Sequence, residues 1–320
     1  MITKKEQTIA QMVYRECLAI GENESVLIVT DEKKEVEALI FYETAKAFTK
    51  TVRLMRVSGM TENGQEPTTA IRRALCSFDI SLLVTAYSLS HTKARLAASA
   101  KGARIISMPG ISRNMIRRTL AVDYPTQSTL TKKFQTLLTE GSTIHIVSGA
   151  GTDVTFSMAG REAIADTGYC KEAGNFINLP AGEAFIAPIE HSAQGTIVFD
   201  GAIASIRLDA PITIILINGV IQTVRGGSGA RLFEKRLQMA GPKARIICEF
   251  GIGTNTKAHI SQEILEAEKV IGSCHIAFGR NSTFGGTNDV AFHTDGLILK
   301  PTITIDNRCI MKEGTVINIL

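Results

Sequence analysis

The sequence predicts an α/β protein in two parts. A parallel-sheet domain of Rossmann or flavodoxin-like type is expected over residues 1–128, and a β-rich α+β domain that carries a metal site over 129–320. Two observations carry this reading. Through about residue 125, short apolar runs alternate with helical patterns at intervals of roughly 30 residues, which is the length a parallel crossover requires. Beyond Ser142 strand candidates follow one another closely and glycines punctuate them, the texture of a separate β-rich fold.

Each element follows from its local pattern. A helical pattern over 5–20 leads into an apolar strand at 25–31, and a helix over 34–48 separates that strand from the next, at 51–57. A helix over 68–77, a strand at 81–86, a helix over 90–100 and a strand at 103–108 complete the first set. Continuous apolar runs of this kind mark strands buried on both faces. Residues 111–140 read as helical with an interruption at Tyr124-Pro125, and Glu140-Gly141 forms a helix stop. The strands expected next lie at 143–147, 154–159, 195–203, 212–224, 244–250, 275–278 and 296–305, with helices over 230–240 and 261–270.

Composition removes several classes of function. The 320 residues carry 35 Lys and Arg against 31 Asp and Glu, a net charge of +4, with no run of five like charges. A nucleic-acid or membrane-surface protein concentrates its positive charge, so neither partner is expected. No stretch reaches the length of a membrane span, and the N-terminal residues have no apolar signal core, so a cytoplasmic location is expected. The six cysteines lie far apart with no CxxC pair, as in a reduced chain.

The common catalytic motifs are absent. Arg225-Gly226-Gly227-Ser228-Gly229 lies between a strand and a helix but lacks the Lys of a phosphate-binding loop. It reads as a plain connection, and no nucleotide cofactor is expected. No GxSxG elbow is present. Cys274 and His275 are neighbours on a strand and point to opposite faces, so they form no dyad with each other.

Acidic and histidine residues of the second half are more informative. Glu183 follows Pro180 and Gly182 at an element boundary, and Glu249 ends an apolar strand. His275 opens another apolar strand, and His293 with Asp295 makes an HxD pair whose side chains share one face of a strand. Two imidazoles and three carboxylates form a nitrogen and oxygen donor set suited to Zn²⁺, Co²⁺, Mn²⁺ or Fe²⁺. That set suffices for one metal or for two sharing a bridging carboxylate.

The segments that carry these residues are Asn178–Glu183 with Ala187-Pro188, Glu249–Asn255, His275–Gly279 and His293–Gly296. In order, they resemble the metal-site blocks of the thermophilic metalloaminopeptidases (aminopeptidases T, S and PepS). The same superfamily includes the iron-dependent 2,5-dihydroxypyridine 5,6-dioxygenases. The resemblance implies that Glu183, Glu249, His275, His293 and Asp295 are metal ligands, and it favours a homodimer. One departure stands out. The aminopeptidases carry a tyrosine shortly after the first metal histidine, whereas Gly279–Gly286 contains none.

The leading expectation is therefore a metallohydrolase resembling an aminopeptidase. One or two divalent ions (Zn, Co or Mn) would activate water against an amide bond of a peptide or small-molecule substrate. With two ions Glu183 would bridge or bind; with one, Glu183 or Glu249 would be free to serve as general base. Arg280 or Asn281, just after the His275 strand, would bind substrate and stabilise the oxyanion. The alternative is an Fe²⁺ ring-cleaving dioxygenase built on His275, His293 and Asp295, and a third reading is a non-catalytic metal-binding protein. His191 follows the Glu183 block, the one reason to look for it near the site, but no motif surrounds it.

Overall fold

The computed structural model describes residues 1–317. The chain divides into two units, one of Met1–Tyr124 with Gly168–Ala181, the other of Pro125–Thr167 with Gly182–Leu320. The fold class is as the sequence predicts, a parallel α/β sheet accompanied by separate antiparallel sheets.

The first unit is built on five parallel strands in the order Val52–Arg56, Val26–Thr30, Ile80–Val84, Arg104–Ser107, Phe176–Asn178. Val26–Thr30 and Ile80–Val84 sit centrally and are buried at every residue, as strands covered on both faces must be. Val52–Arg56 is an edge, and its exposed Arg53 and Arg56 discourage further pairing. Helix Lys4–Met12 begins with a capping box, in which Thr3 accepts from the Glu6 N–H and Glu6 reaches back to the Thr3 N–H. The helical pattern then continues as one π-helical turn, Val13–Cys17. The Glu6 carboxylate also receives Arg113 Nε at 2.6 Å and Arg117 Nε at 3.0 Å, although its own side chain is wholly buried.

The second unit packs an eight-stranded sheet against a five-stranded one, both of them antiparallel wherever strands pair. Ile144, Ile146, Val154, Ile197 and Ile214 of the larger sheet share one core with Ile186, Ile252, Ile276 and Ile298 of the smaller. Phe156 meets Phe250 edge-on at 5.5 Å, and Phe199 meets Phe278 at 6.3 Å, across the same interface.

Several expected elements are redrawn. The single strand expected over 212–224 is a hairpin, Ile212–Ile217 with Val220–Arg225. Asn218 and Gly219 turn it, both at positive φ, the geometry of a two-residue hairpin turn. The strand expected over 296–305 breaks at Lys300-Pro301 into His293–Leu299 of the smaller sheet and Thr302–Ile305 of the larger. Of the helix expected over 261–270 only Ile264–Ala267 forms. The glycine-rich connection before helix Ser228–Ala240 holds no phosphate-binding loop, because the Asp209 carboxylate accepts from the Ser228 and Gly229 N–H groups at 2.7 and 3.0 Å.

Candidate metal centre

The five-stranded antiparallel sheet runs His293–Leu299, Ser273–Gly279, Ile247–Gly253, Glu183–Ile186, Ile164–Asp166. Directly paired residues of an antiparallel sheet share a face, and alternate residues along a strand do too. Gly279 pairs with His293, Ala277 with Asp295 and with Glu249, Gly251 with His275, and Gly253 with Glu183. All five candidate ligands therefore project from one face. Phe250, Ile252, Cys274, Ile276, Phe278 and Ile298 project from the other, into the core. The strand that reads Cys-His-Ile-Ala-Phe-Gly places Cys274, Ile276 and Phe278 inward and His275 outward by period two alone.

Between the ligands lie Gly251, Gly253, Ala277 and Gly279, which leave the face open. A Cβ on Gly251 would overlap the His275 ring, so that imidazole rests on bare backbone. A bulge between Ile247 and Glu249 turns Cys248 toward the same face, with Sγ 3.7 Å from His293 Nδ1.

The side chains form a continuous chain of contacts. Asp295 Oδ1 lies 3.3 Å from His293 Nε2, which is 3.4 Å from Glu249 Oε2. Glu249 Oε1 lies 3.3 Å from His275 Nε2, which is 3.6 Å from Glu183 Oε2. His275 is fully buried, whereas the His293 side chain is 31% exposed and marks the open end.

Electrostatics follow from these contacts. Burial works against an imidazolium at His275, but the Glu249 hydrogen bond and the charges of Glu183 and Glu249 prevail and raise it to about 9. Burial is likewise outweighed at His293, where Asp295 and Cys248 hold the imidazole well above its ordinary value. Asp295 is drawn down to about 2, since its His293 partner overcomes desolvation. Burial pushes the Cys248 thiol up to about 11, against the pull of His293.

A divalent cation fits this arrangement. Donor atoms of Glu249, His293 and Asp295 all lie within 4.8 Å of one another, and imidazole with carboxylate suits a first-row ion. His275 Nδ1 and Glu183 Oε2, both buried, have no hydrogen-bond partner.

Of the other candidate residues, Arg280 reaches this chain of contacts through its carbonyl oxygen, 3.0 Å from His293 Nδ1, while Asn281 and His191 pair elsewhere. Arg280 is engaged by Asp289, with Nη2 2.6 Å from Oδ1. Asn281 donates to Glu190 Oε1 at 3.0 Å and accepts from the Asn288 N–H at 2.8 Å, which shapes its own loop. His191 Nδ1 lies 3.2 Å from the Asn218 carbonyl oxygen beside the hairpin turn.

Two features escaped the sequence reading. Lys269 is completely buried, and its Nζ contacts Glu183 Oε1, Glu268 Oε1 at 2.8 Å and Asp166 Oδ2 at 3.9 Å. Burial alone would strip its charge, but the Glu183, Glu268 and Asp166 carboxylates hold it as an ammonium. Phe284 sits where no tyrosine stands, edge-on to the His293 ring at 6.2 Å and to Phe185 at 5.7 Å.

The family model of NicX, 2,5-dihydroxypyridine 5,6-dioxygenase, matches residues 8–318. The chain belongs to this family. A curated relative, the 2,5-dihydroxypyridine 5,6-dioxygenase of Pseudomonas putida KT2440, is 26% identical over 199 residues. That alignment covers 57% of this chain and only 56% of the relative. The NicX-family fold is seen directly in the solved 2,5-dihydroxypyridine dioxygenase from the same organism. It superimposes with a TM-score of 0.84 at 20% identity, covering 99% of this chain and 98% of that one. Wild-type AmpT from Thermus thermophilus shares the fold at a TM-score of 0.71 and 16% identity, covering 98% and 99%.

These findings correct the leading expectation. The family, the curated relative and the neighbour at 0.84 all carry the dioxygenase name, and the aminopeptidase stands further off. The metallohydrolase reading is therefore set aside. Its physical weakness is visible at Phe284, whose ring offers no hydrogen bond to an oxyanion. What AmpT shares with this chain is the fold. Among the described residues, no helix is long and apolar enough to cross a membrane.

Proposed function

We propose that this chain is a non-haem Fe²⁺ dioxygenase that opens a hydroxylated nitrogen-heteroaromatic ring, with both atoms of O₂ entering the product. The observation that carries the reading is the family match across residues 8–318, joined to two histidines and an aspartate on one sheet face. His275, His293 and Asp295 would hold the metal. Two imidazoles and one carboxylate are the ligand set that suits ferrous iron with positions left for substrate and O₂. Iron bound there supplies a place for ring and O₂ to meet and a route for electrons between them.

The chain's own residues supply the rest. Glu249 faces both histidines, one oxygen to each, and accepts the proton of a ring hydroxyl as that group binds. Phe185 and Phe284 form an apolar wall beside His293, suited to edge-to-face packing of a flat ring and to exclusion of water. The Arg280 carbonyl oxygen, 3.0 Å from His293 Nδ1, orients that ring and leaves Nε2 facing Asp295 and Glu249.

The test is anaerobic loading with Fe²⁺, followed by addition of 2,5-dihydroxypyridine and air. Loss of the ring absorbance with uptake of one O₂ per ring is expected, with both oxygen atoms of ¹⁸O₂ recovered in the product. His293→Ala and Asp295→Ala are expected to lose the metal and the reaction together. Metal retained in full by both variants, or iron-loaded protein inert toward the ring, would overturn the proposal.

A further inference from the structure

Three carboxylates converge on Lys269, which is buried without residual exposure. An ammonium has three N–H donors and no acceptor; Glu183 and Glu268 lie within hydrogen-bond reach, and Asp166 at 3.9 Å adds a third compensating charge. Burying a lysine this deeply is tolerable only with such compensation. The placement is built into the fold. A Cβ on Gly253 would overlap the Val270 carbonyl, so this glycine lets the 269–270 backbone lie against the sheet. The Asn255 N–H then donates to the Lys269 carbonyl oxygen at 2.8 Å, which fixes the segment.

Glu183 projects from the same face as Glu249, His275, His293 and Asp295, at the end opposite His293. A second divalent ion beside the first would need Glu183. One of its oxygens already holds Lys269, and the other faces His275. We infer that Lys269 is a covalently attached cation standing where a second metal would bind, and that it limits the centre to one ion. Lys269 is thus a positioning residue that sets how many metals the site takes, and Glu183 is its counter-ion rather than a ligand. This rests on the single-cation reading of the Glu249, His275, His293 and Asp295 cluster.

The experiment counts ions. Purified full-length protein is freed of metal and titrated anaerobically with Mn²⁺, with bound ions read by elemental analysis and by electron paramagnetic resonance. Wild-type protein is expected to take one ion with an uncoupled six-line spectrum, even in tenfold excess of Mn²⁺. Lys269→Met is expected to take two, with the spectral broadening of a coupled pair, and Lys269→Met with Glu183→Gln is expected to return to one. A second ion in wild type, or a single ion in folded Lys269→Met, overturns the inference while leaving the metal site intact. No ion in wild type removes the underlying reading, and the inference with it. If circular dichroism shows Lys269→Met unfolded, Glu183→Gln decides. One ion bound within about tenfold of wild-type affinity supports a counter-ion role, and complete loss of binding makes Glu183 a ligand and sinks the idea.

Discussion

At the scale of single residues, charge pairing separates what holds the fold from what does chemistry. Glu6 belongs to the first group. Arg113 and Thr3 hold its carboxylate well below the ordinary carboxylate range, although burial pushes the other way. A depressed folded value means that stability is present above the unfolded value near 4.5 and lost as pH falls through the folded one. Glu6→Gln is expected to cost about 2 kcal/mol at pH 7, less than a fully buried pair because the arginines remain partly exposed. Urea midpoints between pH 8 and 3 check the sign. The gap between wild type and variant should hold steady down to about pH 5 and narrow below it. A gap that does not change to pH 3 would refute the assignment. Lys269 shows why some residues are illegible in sequence. Glu266-Ala267-Glu268-Lys269 reads as an ordinary solvated charge run, because nothing local announces that Gly253 will draw the lysine against the sheet. Phe284 was in plain view as the residue present where a tyrosine was sought. Only its edge contact with His293 gives it meaning.

At the scale of elements, period two did most of the work. The HxD pair and the Cys-His neighbours were assigned their faces from strand alternation, and the register places them so. The partner strands were harder, because Ile164–Asp166 and Phe176–Asn178 are three residues each, too short for any pattern to declare itself. The Asn218-Gly219 turn was legible in principle, as Asn-Gly between apolar runs is a strong hairpin signal. It was hidden by reading 212–224 as one continuous run. The glycines of the site strands explain how polar ligands and a close-packed sheet coexist. Gly251→Ala is expected to push the His275 ring off the backbone and weaken Mn²⁺ binding by roughly 10–100-fold, the range for disturbed support of a ligand. Gly149→Ala is the control, since nothing lies within 4 Å of a Cβ placed there. Isothermal titration of both variants settles the matter, and equal affinities would show that the ring has room to move.

At the scale of the whole molecule, every candidate ligand belongs to the second unit, formed by Pro125–Thr167 and Gly182–Leu320. Metal binding stabilises only what it touches, by about 2.7 kcal/mol at a hundredfold excess over Kd. Hydrogen exchange with and without chelator is therefore expected to divide the molecule. Amides of Ile247–Gly253, Ser273–Gly279 and His293–Leu299 should exchange faster once the ion is removed, by about tenfold to a hundredfold. Those of Val26–Thr30 and Ile80–Val84 should hold their rates. Uniform acceleration across both units would contradict this. Composition is blind to this division: a net charge of +4 over 320 residues says nothing of the carboxylates, histidine and lysine buried in the second unit.

The lysine among its three carboxylates has one more implication, for how the protein is made. A bound ion has a dissociation constant and must be supplied, whereas an ammonium on its own side chain arrives with translation. On that inference the Glu183 end of the centre is complete as soon as the strand beside it forms, whatever the metal supply. Only the Asp295 end would then wait on a metal from outside, and the Glu183 end would keep its charge balance without one.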